Sequence, residues 1–145
     1  MSITISLSVD HINPDTHFRV VEQSVHHYLN TFWDSDVEGT RYTLTMGNSG
    51  FSGVLRFLND NGENFLVAVG VHNNKRWCDI VPDLQDDQTA TFMNPQYYVT
   101  GTPYTEKRLS QLAAYEVEST TGRQLSIDFT QAEVMKGKPG DRFID

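Results

Sequence analysis

The sequence predicts a mainly β protein, a two-layer antiparallel β-sandwich with a helix-loop-helix connecting the two sheets. Three observations carry that prediction. Ile3, Ile5, Leu7 and Val9 alternate with Thr4, Ser6 and Ser8 without a slip, the period of a half-buried strand. Short apolar runs then recur, separated by Gly, Asn, Asp and Pro in turn-forming combinations. Helix start and stop signals are confined to the stretch between Pro82 and Tyr115.

In chain order, the first strand spans Ser2 to Asp10, and Asn13-Pro14-Asp15 marks a turn because proline fixes φ and aspartate bonds the following backbone. A second strand runs from Phe18 to about Tyr28. Residues 30–34 read as a loop carrying large aromatics, with Trp33 as a core plug. Arg41 to Met46 alternates again, placing Tyr42, Leu44 and Met46 on one face. Glycine at 47, 50 and 53 then implies a sharp turn or a close backbone approach. Val54 to Leu58 returns as a strand, and Asn61-Gly62 reads as a two-residue hairpin turn into Phe65 to Val71, so three consecutive strands form a meander. Arg76 to Val81 is the next return.

After Pro82, an acidic start and a stop at Asn94-Pro95 predict a helix of about two turns. Thr102-Pro103 offers an N-cap followed by proline at the first helical position, with Leu109, Leu112 and Ala113 forming a stripe that ends near Tyr115. Tyr115 to Val117 and Gln124 to Thr130 are strands joined at Thr121-Gly122. A last strand near Glu133 to Lys136 precedes a loose tail, Gly137 to Gly140. No composition break divides the chain, so residues 1–145 are read as a single domain.

Nineteen acidic side chains against eleven Lys and Arg give a net charge of −8, which disfavours nucleic acid or an anionic membrane surface as partner. One cysteine, Cys78, forms no intrachain disulfide. The N-terminus lacks a basic region followed by an apolar run, and nothing reaches the length of a membrane span, so a soluble, cytoplasmic protein without a classical signal peptide is expected.

The residues carrying chemistry cluster around Gly70-Val71-His72-Asn73-Asn74-Lys75-Arg76-Trp77-Cys78-Asp79-Ile80-Val81. Here a strand-like run is interrupted by amide, imidazole and ammonium groups at a hairpin tip, where a rigid β scaffold displays function. An ordinary polar turn would leave the same pattern. The glycine segment at 47–53 is neither a phosphate loop, lacking Lys-Ser/Thr, nor a Gly-x-Ser-x-Gly elbow. His26 and His27 point to opposite faces of a strand, so no metal site is expected, and no acid, base and nucleophile come together. No cofactor is implied. Asn73, Asp79, Ser49, Tyr104 and Tyr115 are the residue types that suit a neutral, hydroxyl-rich ligand, although any globular surface carries such residues.

Leu44-Thr45-Met46-Gly47-Asn48-Ser49-Gly50, the dodecapeptide from Gly70 to Val81, and Gln96-Tyr97-Tyr98 together resemble the fungal fruit body lectins. The resemblance covers nearly the whole chain, through Gln111-Leu112 and Tyr115, and fades in the last strands. It implies an actinoporin-like β-sandwich, no enzymatic activity, assembly as a homo-oligomer (tetramer or dimer), and two sugar sites flanking the helix-loop-helix. The first site, for Galβ1-3GalNAc and N-acetylgalactosamine, falls by resemblance on Ser49, Gly50 and Asn73 with His72 adjacent, and on Leu29 where the family has alanine. The second, for terminal N-acetylglucosamine, falls on Asp79, Ile80 and Tyr115. Pro82 stands there in place of a threonine, and Tyr104 in place of an arginine. Losing a hydroxyl and a guanidinium predicts a weakened or altered second site. The partners expected are galactosyl and N-acetylgalactosaminyl glycans, in a defence role. The competing reading is a membrane-acting pore former of the related fold, disfavoured by the charge and by the β pattern of the N-terminus.

Overall fold

The computed structural model describes residues 3–10, 17–26, 30–129 and 142–144. The strands are β1 (Ile3–Asp10), β2 (Arg19–His26), β3 (Phe32–Ser35), β4 (Arg41–Met46), β5 (Ser52–Leu58), β6 (Asn64–His72), β7 (Lys75–Pro82), β8 (Ala114–Glu118), β9 (Gln124–Asp128) and β10 (Arg142–Ile144). They form a six-stranded sheet in the order β3-β4-β1-β10-β9-β8 and a four-stranded sheet in the order β2-β5-β6-β7. Between β7 and β8 lie α1 (Ala90–Met93), a 3-10 segment (Asn94–Tyr98) and α2 (Pro103–Ser110), so the helical insert connects the two sheets. Every pairing is antiparallel except β1 with β10, which is parallel.

The alternation read in β1 places Ile3, Ile5, Leu7 and Val9 in the core between the sheets, with Leu44 and Met46 of β4 beside them. Phe57, Phe65, Val67, Val69, Cys78 and Ile80 meet them from the four-stranded sheet. That sheet is buried on both sides. Its other face carries Val54, Leu66, Ala68 and Trp77, which pack against Leu84, Ala90, Met93 and Tyr97 of the insert. The apolar positions of β5 and β6 therefore run nearly without interruption, as in a strand covered on both faces.

Several elements differ from the sequence reading, each for a local reason. Residues 47–53 do not close a meander: β4 and β5 belong to different sheets, and the glycine segment crosses between them. Gly50 adopts φ +95, and a Cβ on Gly53 would lie 2.7 Å from the Trp33 indole, so the crossing needs glycine at both places. Asn61-Gly62 is not a two-residue turn. The buried Asn59 carboxamide accepts the N–H groups of Asn61 (3.0 Å) and Glu63 (2.9 Å), which organises residues 59–63 as one loop. Residues 32–35 are a strand, not a loop; Trp33 packs on the inter-sheet core as expected and donates its indole N–H to the Ser24 carbonyl at 3.0 Å.

The acidic stretch after Pro82 is not helical. Asp83 sits at φ +56 with its carboxylate on the backbone N–H and hydroxyl of Thr120. Helix formation waits for the Thr89 cap, whose hydroxyl accepts the Phe92 N–H at 3.1 Å, and the chain continues past Pro95 as a 3-10 segment. The second helix starts as read, with Thr102 capping Thr105 N–H and Pro103 at the first turn, but it ends at Ser110 where Gln111 turns left-handed, leaving Tyr115 on β8. β10 lies beyond the residues read as a loose tail. The expected turn at residues 11–16, the strand near 133–136 and Leu29 fall outside the described residues.

Candidate functional site

Residues Asn73 and Asn74 are the two central positions of the β6–β7 hairpin, at φ 49 and φ 62, and His72 pairs directly with Lys75. Two successive left-handed residues define a type I′ turn, whose twist matches the flanking strands, and asparagine tolerates that conformation best after glycine. Two interactions bring the glycine segment to this turn. Gly50 N–H donates to the Val71 carbonyl at 2.7 Å, and Val71 N–H donates to the Phe51 carbonyl at 3.1 Å. Gly70 makes the approach possible, because a Cβ there would lie 2.7 Å from both the Phe51 carbonyl oxygen and the Trp77 indole nitrogen.

The result is a compact polar surface. Ser49 Oγ accepts the Asn74 N–H at 3.0 Å, which leaves its own hydroxyl proton available. Asn73 is exposed, and Ser49 and His72 are half-buried beside it. Arg108 of α2 reaches His72, with Nη1 3.2 Å from Nδ1, and is itself held by donating Nε–H to the Tyr97 carbonyl at 2.7 Å. Gln111 donates to the carbonyls of His72 and Lys75, bracing the hairpin from below. Behind Gly50, Tyr98 donates to the Gly50 carbonyl or to Ser52 Oγ, stacks on His26 at 3.8 Å and lies 4.6 Å from the Arg108 guanidinium. Partial burial and the neighbouring Arg108 charge hold the His72 imidazole below its usual pKa, so the ring is neutral near pH 7.

A second cluster lies farther along β7. Asp79 is only 3 % exposed and accepts the Tyr97 hydroxyl at 2.7 Å and the Ile80 N–H at 2.9 Å. Burial pushes its carboxyl up to about 6, against the opposing effects of the Tyr97 hydrogen bond, the Lys107 charge and the Ile80 N–H. The Tyr97 hydroxyl is raised well above its usual range by burial and by Asp79, so it is the donor. Tyr104 packs on Tyr97 with ring centroids 5.4 Å apart, and the Lys107 ammonium sits 3.6 Å from the Tyr115 centroid. Tyr115 also borders a shallow depression of about 400 Å³ with Glu116, Ser126 and Asp128.

The structure thus brings Ser49, Gly50, His72 and Asn73 together, and gathers Asp79, Tyr104 and Tyr115 around Tyr97. It separates Asp79 from Ile80, whose side chain is in the inter-sheet core on the opposite face of β7. Pro82 ends β7 opposite Phe65. The sequence reading did not include Arg108, Gln111, Lys107 or Tyr97 in a site. For Lys107 and Arg108 the signal was the Thr102-Pro103 helix start, which places both in the last turn of α2, but nothing local shows that this turn lies against a hairpin 36 residues earlier in the chain. Among the described residues no cluster of His, Cys, Asp or Glu is arranged to hold a metal ion.

This geometry defines a protein class before any relative is considered: a β-sandwich that presents neutral amide, hydroxyl and imidazole groups on a braced hairpin. The chain belongs to the fungal fruit body lectin family, whose model matches residues 1–137. It is 48 % identical to the Boletus edulis lectin over 134 residues, covering 92 % of each chain. The crystal structure of wild-type Xerocomus chrysenteron lectin superposes with a TM-score of 0.87 at 44 % identity, covering 99 % of both chains. A substituted form of that lectin gives a TM-score of 0.83 at 43 % identity, over 99 % of this chain and 94 % of the other. The protein is therefore a carbohydrate-binding lectin, and a non-enzymatic one.

Proposed function

We propose that the hairpin site binds galactosyl and N-acetylgalactosaminyl termini of the Galβ1-3GalNAc type, through Ser49, Gly50, His72 and Asn73. The observation that carries this reading is the convergence of the exposed Asn73 carboxamide with the Ser49 hydroxyl across the β6–β7 turn, held by the Ser49–Asn74 contact. Adjacent sugar hydroxyls require closely spaced donors and acceptors that are placed before binding; Ser49 Oγ is held by the Asn74 backbone N–H, and the Asn73 carboxamide lies against the His72 ring.

The second cluster, Asp79 with Tyr104 and Tyr115 and with Pro82 at the end of β7, is proposed as an altered N-acetylglucosamine-type site to which the core-facing Ile80 side chain does not contribute. Without a threonine hydroxyl at 82 or a guanidinium at 104, its polar contacts rest on Asp79, Tyr104 and the Lys107 ammonium over Tyr115. Its affinity for N-acetylglucosamine is accordingly lower than that of the hairpin site for a galactosyl disaccharide. Assembly as a dimer or tetramer would convert such weak sites into avidity, suited to binding glycoprotein surfaces in defence.

A glycan array with the wild type, Asn73→Ala and Asp79→Ala tests both assignments. Asn73→Ala is expected to remove the galactosyl signals alone, and Asp79→Ala any N-acetylglucosamine signals alone. Unchanged patterns in both variants would refute both sites.

A further inference from the structure

We propose that Arg108 is a positioning residue for the hairpin site: it fixes the His72 tautomer, and through it the orientation in which Asn73 meets the sugar. The inference rests on the galactosyl reading for its functional consequence, but its structural part stands alone.

Three side chains in a row set the argument. Arg108 Nη1 lies 3.2 Å from His72 Nδ1, and His72 Nε2 lies 3.3 Å from Asn73 Nδ2. A guanidinium only donates, so Nδ1 must be the accepting, unprotonated nitrogen. In a neutral ring the proton is then on Nε2. An Nε2–H cannot bond an amide NH₂, since both are donors. Either Arg108 or Asn73 must yield, and the two are unequal. The Arg108 contact is charge-assisted, and such bonds are about twice as strong as neutral ones. The guanidinium is anchored besides at the Tyr97 carbonyl and against Tyr98. Asn73 is exposed at a turn tip and satisfies the ring by a half-turn of its carboxamide, which places Oδ1 on Nε2–H.

That rotation has a consequence for recognition. With its oxygen engaged by His72, Asn73 offers its NH₂ to the ligand, so the site presents a fixed donor where a free asparagine would present either group. The partner on the sugar is then an oxygen acting as acceptor. Preorganising one polarity avoids the ordering cost at binding and discriminates against ligands without an acceptor at that place.

Long-range ¹H–¹⁵N correlation of the imidazole nitrogens in the intact protein, with calorimetric titration of Galβ1-3GalNAc, tests the proposal. In the wild type His72 is expected as the Nε2–H tautomer with Nδ1 unprotonated. Arg108→Gln, whose amide can donate or accept, should give a mixture of tautomers and weaken the disaccharide about tenfold, the loss of one preorganised hydrogen bond. Arg108→Lys, again donor-only, should keep the Nε2–H tautomer and recover most of the affinity. An Nδ1–H tautomer in the wild type overturns the proposal whatever the variants do. So does equal weakening by Gln and Lys with the tautomer unchanged, which would make Arg108 a packing residue. A wild type with the expected tautomer but no disaccharide binding would instead refute the galactosyl reading and the functional half of this inference with it, leaving only the tautomer assignment.

Discussion

Asp79 shows how one residue's surroundings decide its chemistry. An aspartate that is almost wholly buried at the end of a tyrosine hydroxyl has its carboxyl raised to about 6, so it is largely ionised at pH 7.5 and largely neutral at pH 5. A carbon-detected NMR titration should place its midpoint near 6. Tyr97→Phe removes a hydrogen bond that favours the charged form, and the midpoint should move higher still. Because folding raises this pKa above the usual 3.8, Asp79 favours the folded state most below pH 4, and that contribution is lost as pH rises through 6. At this scale the sequence was informative about residue type and silent about depth. Asp79, Ser49 and Asn73 were legible as polar groups on strands and turns, but the alternation of β7 puts Asp79 under the helical insert and Ile80 between the sheets, and only the register with β6 shows it.

At the scale of elements, α2 holds both clusters. Arg108 reaches the hairpin and Lys107 covers Tyr115, so the eight residues of one helix set the geometry on two sides of it. Its N-cap is the point where this can be tested. Thr102→Ala leaves the Thr105 N–H without its partner and should cost about 1 kcal/mol in urea denaturation. The start of α2 was legible because Thr-Pro is a local signal. The His72–Lys75 hairpin was legible for the same reason. Elements decided by distant partners were not. Asp83 gives up helix for Thr120, and Asn59 bonds its own loop so tightly that the Asn61-Gly62 signal is overridden. The crossing at Gly47 to Gly53 looked like a hairpin because a glycine-rich link carries no mark of which sheet the next strand joins.

For the whole molecule, the fold class was readable from periodicity, since a sandwich needs little beyond alternating strands with enough turns. What periodicity leaves out is the strand order, and with it the parallel β1–β10 pair. The two sheets are also tied at one end by charge. Glu63, the last residue of the β5–β6 loop, accepts Arg123 Nε at 2.7 Å and Nη2 at 2.9 Å from the β8–β9 turn. This pairing holds the Glu63 carboxyl down at about 2. Its folded pKa lies below the usual 4.5, so the stabilisation is present above pH 4.5 and is lost as pH falls toward 2. Glu63→Gln should therefore lower stability at pH 7 by about 2 kcal/mol and have little effect near pH 2, measured by urea denaturation at both values.

The reading of this chain as a galactosyl-binding lectin depends most on one side chain at the turn with which the chemistry began. Isothermal titration of Galβ1-3GalNAc into the wild type and Asn73→Ala, with thermal unfolding of each, isolates it. The account predicts saturable binding by the wild type, at least about tenfold weaker binding by the variant, and an unfolding midpoint lowered by only about 2–4 °C, the cost of alanine at the left-handed position 73, so that the variant is still folded in the titration. Equal affinity in the two proteins, or no binding by the wild type, would contradict it.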